Sequence, residues 1–83
     1  MAVVQINPLF DEVLEFLAST PTPNDIVAFQ PSDVLQQRAS ALLEKKRQDA
    51  LSTVEASELE EFARLNQFMS MLKIRARKKL AGL

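Results

Sequence analysis

Residues 51–80 read LSTVEASELEEFARLNQFMSMLKIRARKKL, and this stretch decides most of the architecture of the chain. Ser52 is followed three residues later by Glu55, which is the spacing of a capping box at the start of a helix. Carboxylates crowd the first turns and cations the last ones, which suits the helix macrodipole at both ends. An apolar seam repeats at intervals of three and four residues: Phe62, Leu65, Met69, Leu72 and Ala76. The pattern predicts a helix over 53–80, with a seam typical of an antiparallel hairpin or a short coiled coil.

Proline and capping residues mark three shorter helices ahead of the long one. Asn7 precedes Pro8 as an N-cap precedes the first residue of a helix. Pro23 opens the second segment, and the Pro31-Ser32 pair opens the third. The four predicted helices span 8–18, 23–28, 32–48 and 53–80.

These elements predict an all-α chain in which short N-terminal helices precede a long antiparallel helical hairpin. We expect one domain over 1–83, with 1–6 as a stray strand or a disordered arm. A chain of 83 residues buries only about 60–65% of its unfolded surface, so self-association is a reasonable way to add buried area. We therefore expect a dimer. The fourth helix is longer than the third and overhangs it from about Ser70, where the N-terminal helices of the same chain or of a second copy are expected to pack.

The net charge of −1 hides an asymmetry along the chain. Residues 1–33 contain five carboxylates and no cation, whereas residues 34–83 contain ten cations and six carboxylates. Such a division points to a nucleic-acid or membrane contact, or to neutralisation of one part by the other within the fold. No apolar run is long enough for a membrane span and no secretory signal is visible, so we expect no membrane contact. The absence of cysteine makes the cytoplasm the expected compartment.

The residue types available argue against catalysis. The chain contains no His and no Cys, so the common general base, the thiolate nucleophile and the usual zinc ligands are missing. Its one glycine, Gly82, excludes a glycine-rich phosphate-binding loop. We predict a protein that is not an enzyme, has no catalytic residues and needs no cofactor.

Three carboxylates on the long helix leave one metal-dependent alternative. Glu55, Glu58 and Glu61 are spaced so that neighbouring carboxylates lie one turn apart and could hold Mg²⁺ or Mn²⁺, as in helical phosphohydrolases. That chemistry needs a facing carboxylate set, and the third helix offers only Asp33 and Glu44. We favour a solvated charge cluster that suits the helix dipole, and so predict no metal site.

The basic end of the long helix is the main candidate for binding. Its five cations are Lys73, Arg75, Arg77, Lys78 and Lys79. At 100° per residue they lie on both flanks of the seam and behind it, whereas a groove-binding helix would present one basic stripe. No Trp or Tyr is available to stack on bases. The cations are therefore structural or solvated, part of a surface for a protein partner, or phosphate contacts, and the sequence leaves these alternatives open.

Two apolar residues of the same helix, Met71 and Ile74, project away from the seam. They either pack beneath the N-terminal helices or mark an interface, and methionine suits adaptable contact surfaces. The residues predicted to bind a partner are therefore Met71, Ile74, Arg75, Lys78 and Lys79.

Residues 22–80 resemble a family of small all-α bacterial proteins whose roles are largely uncharacterised. The shared pattern is T-P-x-x-I-x-x-F-x-P-S, then L-L-E-K-x-R, L-[ST]-x-x-E and L-K-x-x-A-R. The matching residues are Thr22, Pro23, Ile26, Phe29, Pro31, Ser32, Leu42, Leu43, Glu44, Lys45, Arg47, Leu51, Ser52, Glu55, Leu72, Lys73, Ala76 and Arg77. The resemblance implies an antitoxin-like role or an accessory partner of a small nuclease, and it supplies no catalytic residues.

Together these observations predict a cytoplasmic, homo-oligomeric protein-interaction module that binds a protein partner, such as a small nuclease, through its long C-terminal helix. One alternative is a dimeric nucleic-acid-binding regulator that joins two basic ends, each with Lys73, Arg75, Arg77, Lys78 and Lys79, into one patch. A further alternative is a phosphohydrolase that uses a metal held by Glu55, Glu58 and Glu61.

Overall fold

The computed structural model describes residues 7–82. This part of the chain consists of four helices joined by short turns. The four helices are α1 (Pro8–Ala18), α2 (Pro23–Ala28), α3 (Asp33–Arg47) and α4 (Thr53–Leu80). The all-α class and the long C-terminal helix are therefore confirmed. The arm predicted over 1–6 lies outside the described residues. Among residues 7–82, no helix combines the length and the apolarity needed to cross a bilayer.

Side-chain caps explain where the helices begin. The Ser52 hydroxyl accepts a hydrogen bond from the Glu55 amide at 3.1 Å, and the Glu55 carboxylate accepts one from the Ser52 amide at 3.1 Å. This reciprocal pair is the predicted capping box of α4. A second box joins Thr22 and Asp25 at the start of α2. Each box satisfies main-chain amides that a helix leaves without partners in its first turn.

Two non-glycine residues in left-handed conformations end α1 and α3. Asp49 has φ 54°, and the amide that follows it, from Ala50, donates to the Lys45 carbonyl at 2.8 Å. Together with the bond from the Asp49 amide to Lys46, this forms a Schellman motif at the end of α3. Thr20 has φ 58° after α1, a conformation that is uncommon for a β-branched residue.

The hydrophobic core lies along one side of α4. Its buried members are Leu9 and Val13 of α1, Leu35 and Leu42 of α3, and Phe62 and Met69 of α4. The seam predicted on α4 is the side that faces this core, because its members are buried or half-buried. One helix thus collects apolar residues from both α1 and α3, and its outer side stays free of the core.

The N-terminal helices lie against α4 of the same chain. The Lys73 side-chain amine donates a 2.8 Å hydrogen bond to the main-chain oxygen of Phe29, the residue that follows α2. The Phe29 ring stacks obliquely on Phe16 of α1, with ring centroids 4.6 Å apart. The Glu12 carboxylate accepts a 3.0 Å hydrogen bond from the amide of Ser32, the N-cap of α3. Contacts of one chain therefore hold the N-terminal third on the later part of α4.

Candidate interaction surface on the long helix

The second half of α4 exposes an apolar surface edged by cations, which we call the outer face. Its apolar members are Phe68, Met71 and Ile74, with 44%, 48% and 50% of their surfaces exposed. Its cations are Arg75 and Lys78, and both are exposed. Met71 and Ile74 are therefore not buried beneath the N-terminal helices.

The rotation of α4 explains this exposure. At 100° per residue, the outer face is centred about 140° from the middle of the seam, and the core occupies the seam side. Lys73 lies beside the seam and points to the end of α2, so α2 covers a different flank of the helix. Phe68 also belongs to the outer face, although the sequence pattern did not single it out.

A shallow hollow of about 200 Å³ lies on the side of the outer face that is nearer the seam. It is lined by Phe68, Met71, Leu72 and Arg75, all of them residues of α4. Arginine can lay its aliphatic stem along apolar atoms while the guanidinium stays in water. The hollow is therefore an apolar depression on one helix with a cation at its edge, a form suited to contact with a protruding apolar side chain.

The five cations of the basic end do not form one group. Lys73 is half-buried and its amine is engaged by the Phe29 carbonyl, whereas Arg75, Arg77, Lys78 and Lys79 are exposed. Within residues 7–82, none of these four exposed cations lies within ion-pair distance of a carboxylate. Lys73 therefore makes a contact within the fold, and the remaining cations are spread around the helix.

Two of the three carboxylates of the metal-dependent alternative pair with cations of α3. Glu58 binds Arg38 through two hydrogen bonds of 2.8 and 3.0 Å, and Glu55 accepts one from Lys45. Glu61 is exposed. Across residues 7–82, no three acidic side chains come close enough together to hold a metal ion.

These ion pairs change the acidity of the two carboxylates. The hydrogen bond from Lys45, supported by the Ser52 amide, lowers the pKa of Glu55 to about 2. The hydrogen bond from Arg38 lowers the pKa of Glu58 below its ordinary value. Both carboxylates are therefore charged at neutral pH and serve to connect α3 with the first half of α4.

No protein-family model matches the chain, and comparisons with curated proteins and with solved structures give no match either. The resemblance to antitoxin-like bacterial proteins therefore stays a prediction from the sequence.

Proposed function

We propose that the protein is a non-enzymatic, cytoplasmic interaction module that binds a protein partner through the outer face of α4. The observation that carries this proposal is the half-exposed apolar group Phe68, Met71 and Ile74 on the longest helix, edged by Arg75 and Lys78. A small chain has a small core, so covering apolar surface of this kind with a partner adds to its stability. Lys79 completes the predicted partner-binding set at the margin of this surface.

The composition of the outer face indicates the chemistry of the partner. Protein interfaces place apolar, aromatic and methionine side chains at the centre and polar ones at the rim, which is the arrangement of Phe68 and Met71 with Arg75 and Lys78. A matching partner would present an apolar patch bordered by carboxylates, since opposite potentials across an interface steer association. The resemblance to antitoxin-like proteins suggests a small nuclease as that partner.

The antiparallel hairpin and the dimer predicted from the sequence are separate proposals about the architecture. Arg38, early in α3, pairs with Glu58, whereas Lys45, late in α3, pairs with Glu55, closer to the start of α4. This reversed order supports an antiparallel hairpin. The exposed apolar area of the outer face supports association with a second copy when no partner is present.

The nucleic-acid alternative has less support from the geometry. A helix that reads a groove needs its cations on one side, but Lys73 points to α2 and Arg77 lies on the flank opposite Arg75. The phosphohydrolase alternative has less support too, because Glu55 and Glu58 are engaged by Lys45 and Arg38. Neither alternative accounts for the exposed apolar residues.

The test is a binding measurement with purified components. A protein captured from the native host by the wild-type chain would be purified and titrated by calorimetry against wild type and Met71→Asp. Val54→Asp is a matched control, because Val54 is 77% exposed on the same helix but lies far from the outer face. Loss of binding by Met71→Asp alone would support the proposal, and equal binding by all three proteins would refute it.

A further inference from the structure

All members of the outer face except Ile74 belong to a longer stripe of exposed residues at heptad spacing. Glu61, Phe68 and Arg75 are seven residues apart, and Arg64, Met71 and Lys78 repeat in the same way between them. Alternating steps of three and four residues place all six on one side of α4. All six side chains are exposed, and we call them the pairing stripe: Glu61, Arg64, Phe68, Met71, Arg75 and Lys78.

The charges of the pairing stripe are ordered along the helix. Its N-terminal end has Glu61 with the neighbouring Glu60, its centre has Phe68 and Met71, and its C-terminal end is basic. Within residues 7–82, neither Glu60 nor Glu61 forms an ion pair. Arg64 interrupts this order between Glu61 and Phe68. Apart from Arg64, the stripe is complementary to its own reverse, with acid at one end, base at the other and apolar residues between them.

We propose that the occupant of this stripe, in the absence of another partner, is the α4 helix of a second copy that runs in the opposite direction. Phe68 then lies opposite Met71 of the second copy, and Glu61 lies opposite Lys78 of the second copy. Both contacts occur twice because the pairing is two-fold symmetric. A parallel arrangement would instead place Glu61 against Glu61 and Lys78 against Lys78, and like charges in contact oppose association.

One pair of facing residues in this antiparallel arrangement carries like charges, and this pair provides a test of the proposal. Arg64 lies opposite Arg75 of the second copy, so two guanidinium groups meet on each side of the apolar centre. Long arginine side chains can turn toward solvent and keep only their stems in the interface. A carboxylate at position 64 would convert this layer into an opposite-charge pair and is expected to tighten the dimer.

The pairing bears on the function in two ways. Along the helix axis, Arg75 of one copy lies about 16 Å from Arg75 of the other, and the two Lys78 residues lie about 25 Å apart. Both separations exceed the screening length of about 8 Å in physiological salt, so the dimer keeps its exposed cations in two separate clusters. The pairing also covers Phe68 and Met71, so self-association and partner binding exclude each other. This competition rests on the proposed function, whereas the pairing itself does not.

The experiment is sedimentation analysis of charge-swapped variants of the full chain. Glu61→Lys and Lys78→Glu should each dimerise at least about tenfold more weakly than wild type, because like charges then meet twice in each homodimer. An equimolar mixture of the two variants should recover dimers that contain one chain of each, because both contacts again join opposite charges. Misfolding cannot imitate this recovery. Arg64→Glu alone should dimerise more tightly than wild type.

Several results would overturn the pairing: a monomeric wild type at millimolar concentration, single variants that dimerise as well as wild type, or a mixture that stays monomeric. These results would leave the partner-binding proposal intact, since that proposal is tested by calorimetry with a different protein. Conversely, failure to find a partner would leave the recovery of mixed dimers unaffected.

Discussion

The side-chain amine of Lys73 lies 2.8 Å from the main-chain oxygen of Phe29 and joins the long helix to the end of α2. Lys73 thus donates a hydrogen bond to a main-chain carbonyl at the C-terminal end of α2, where no helical amide is available to do so. The contact sets Lys73 apart from the exposed cations and lies on the flank of α4 against which the N-terminal helices pack. The outer face lies on another flank of α4 and is exposed.

Replacing Lys73 with methionine should destabilise the fold while preserving the length of the side chain. Lys73→Met removes the hydrogen bond to Phe29, and we expect the free energy of unfolding to fall by about 0.5–1.5 kcal/mol. Chemical denaturation followed by circular dichroism measures the change. Arg77→Met, at an exposed position one turn further on, is the control and should have a smaller effect. Equal effects at both positions would mean that the contact with Phe29 contributes nothing.

Two adjacent leucines of α3 provide a matched pair for the core. Leu42 has no exposed surface, whereas Leu43 is 47% exposed. Leu42→Ala should lower the free energy of unfolding by about 2–5 kcal/mol, because it removes buried methyl groups and leaves a cavity. Leu43→Ala should lower the free energy of unfolding by clearly less than Leu42→Ala. A larger loss from Leu43→Ala would show that α3 is rotated relative to the arrangement described here.

The ion pair between Glu55 and Lys45 predicts a pH dependence of stability. Because folding lowers the pKa of Glu55 from 4.5 to about 2, the folded state binds fewer protons at this site than the unfolded state. The contribution is complete above about pH 4.5 and is lost as the pH falls toward 2. Glu55→Gln should therefore be less stable than wild type at neutral pH, and the difference should shrink across this window.

Denaturation midpoints measured from neutral pH down to about pH 2 test this dependence. Glu15→Gln, an exposed change on α1, is the control for the general loss of charge. A constant difference between Glu55→Gln and wild type over the whole range would contradict the assignment to Glu55.

The left-handed residues at the helix ends predict stabilising substitutions. Thr20 and Asp49 have φ of 58° and 54°, and glycine adopts such conformations without steric cost. Thr20→Gly should raise the melting temperature, and Asp49→Gly should do so by less because aspartate tolerates this region better. Ala41→Gly, at an exposed position in the middle of α3, is the opposite control and should lower the free energy of unfolding by roughly 0.5–1 kcal/mol. Destabilisation by Thr20→Gly would show that Thr20 is unstrained.

The order and limits of the helices could be predicted because their signals are local. A cap, a proline and a repeat of three and four residues lie within a few positions of one another, and the predicted range of α3 differs from the observed one by a single residue at each end. The capping box at Ser52 is the clearest case. The box at Thr22 was not predicted, although its aspartate stands at the required spacing.

The exposure of the outer face could not be predicted in the same way. Phe68 and Val13 are both apolar residues within helical repeats, yet Phe68 is 44% exposed and Val13 only 2%. The difference depends on which flank of α4 the N-terminal helices cover, and this depends on contacts between distant residues, such as that of Lys73 with Phe29. The sequence pattern predicted the seam that faces the core, but it did not show whether a second element covers the apolar residues on the opposite side of α4.

The assignment of the outer face as a partner-binding surface is tested by the affinity of a purified host partner for three forms of the chain, measured by calorimetry under the same conditions. We expect wild type and Val54→Asp to bind alike, and Met71→Asp to bind at least about tenfold more weakly because a carboxylate enters the apolar centre of the interface. Circular dichroism of all three forms would establish that the fold is retained. Undiminished binding by folded Met71→Asp would contradict the assignment of the outer face as the partner-binding surface.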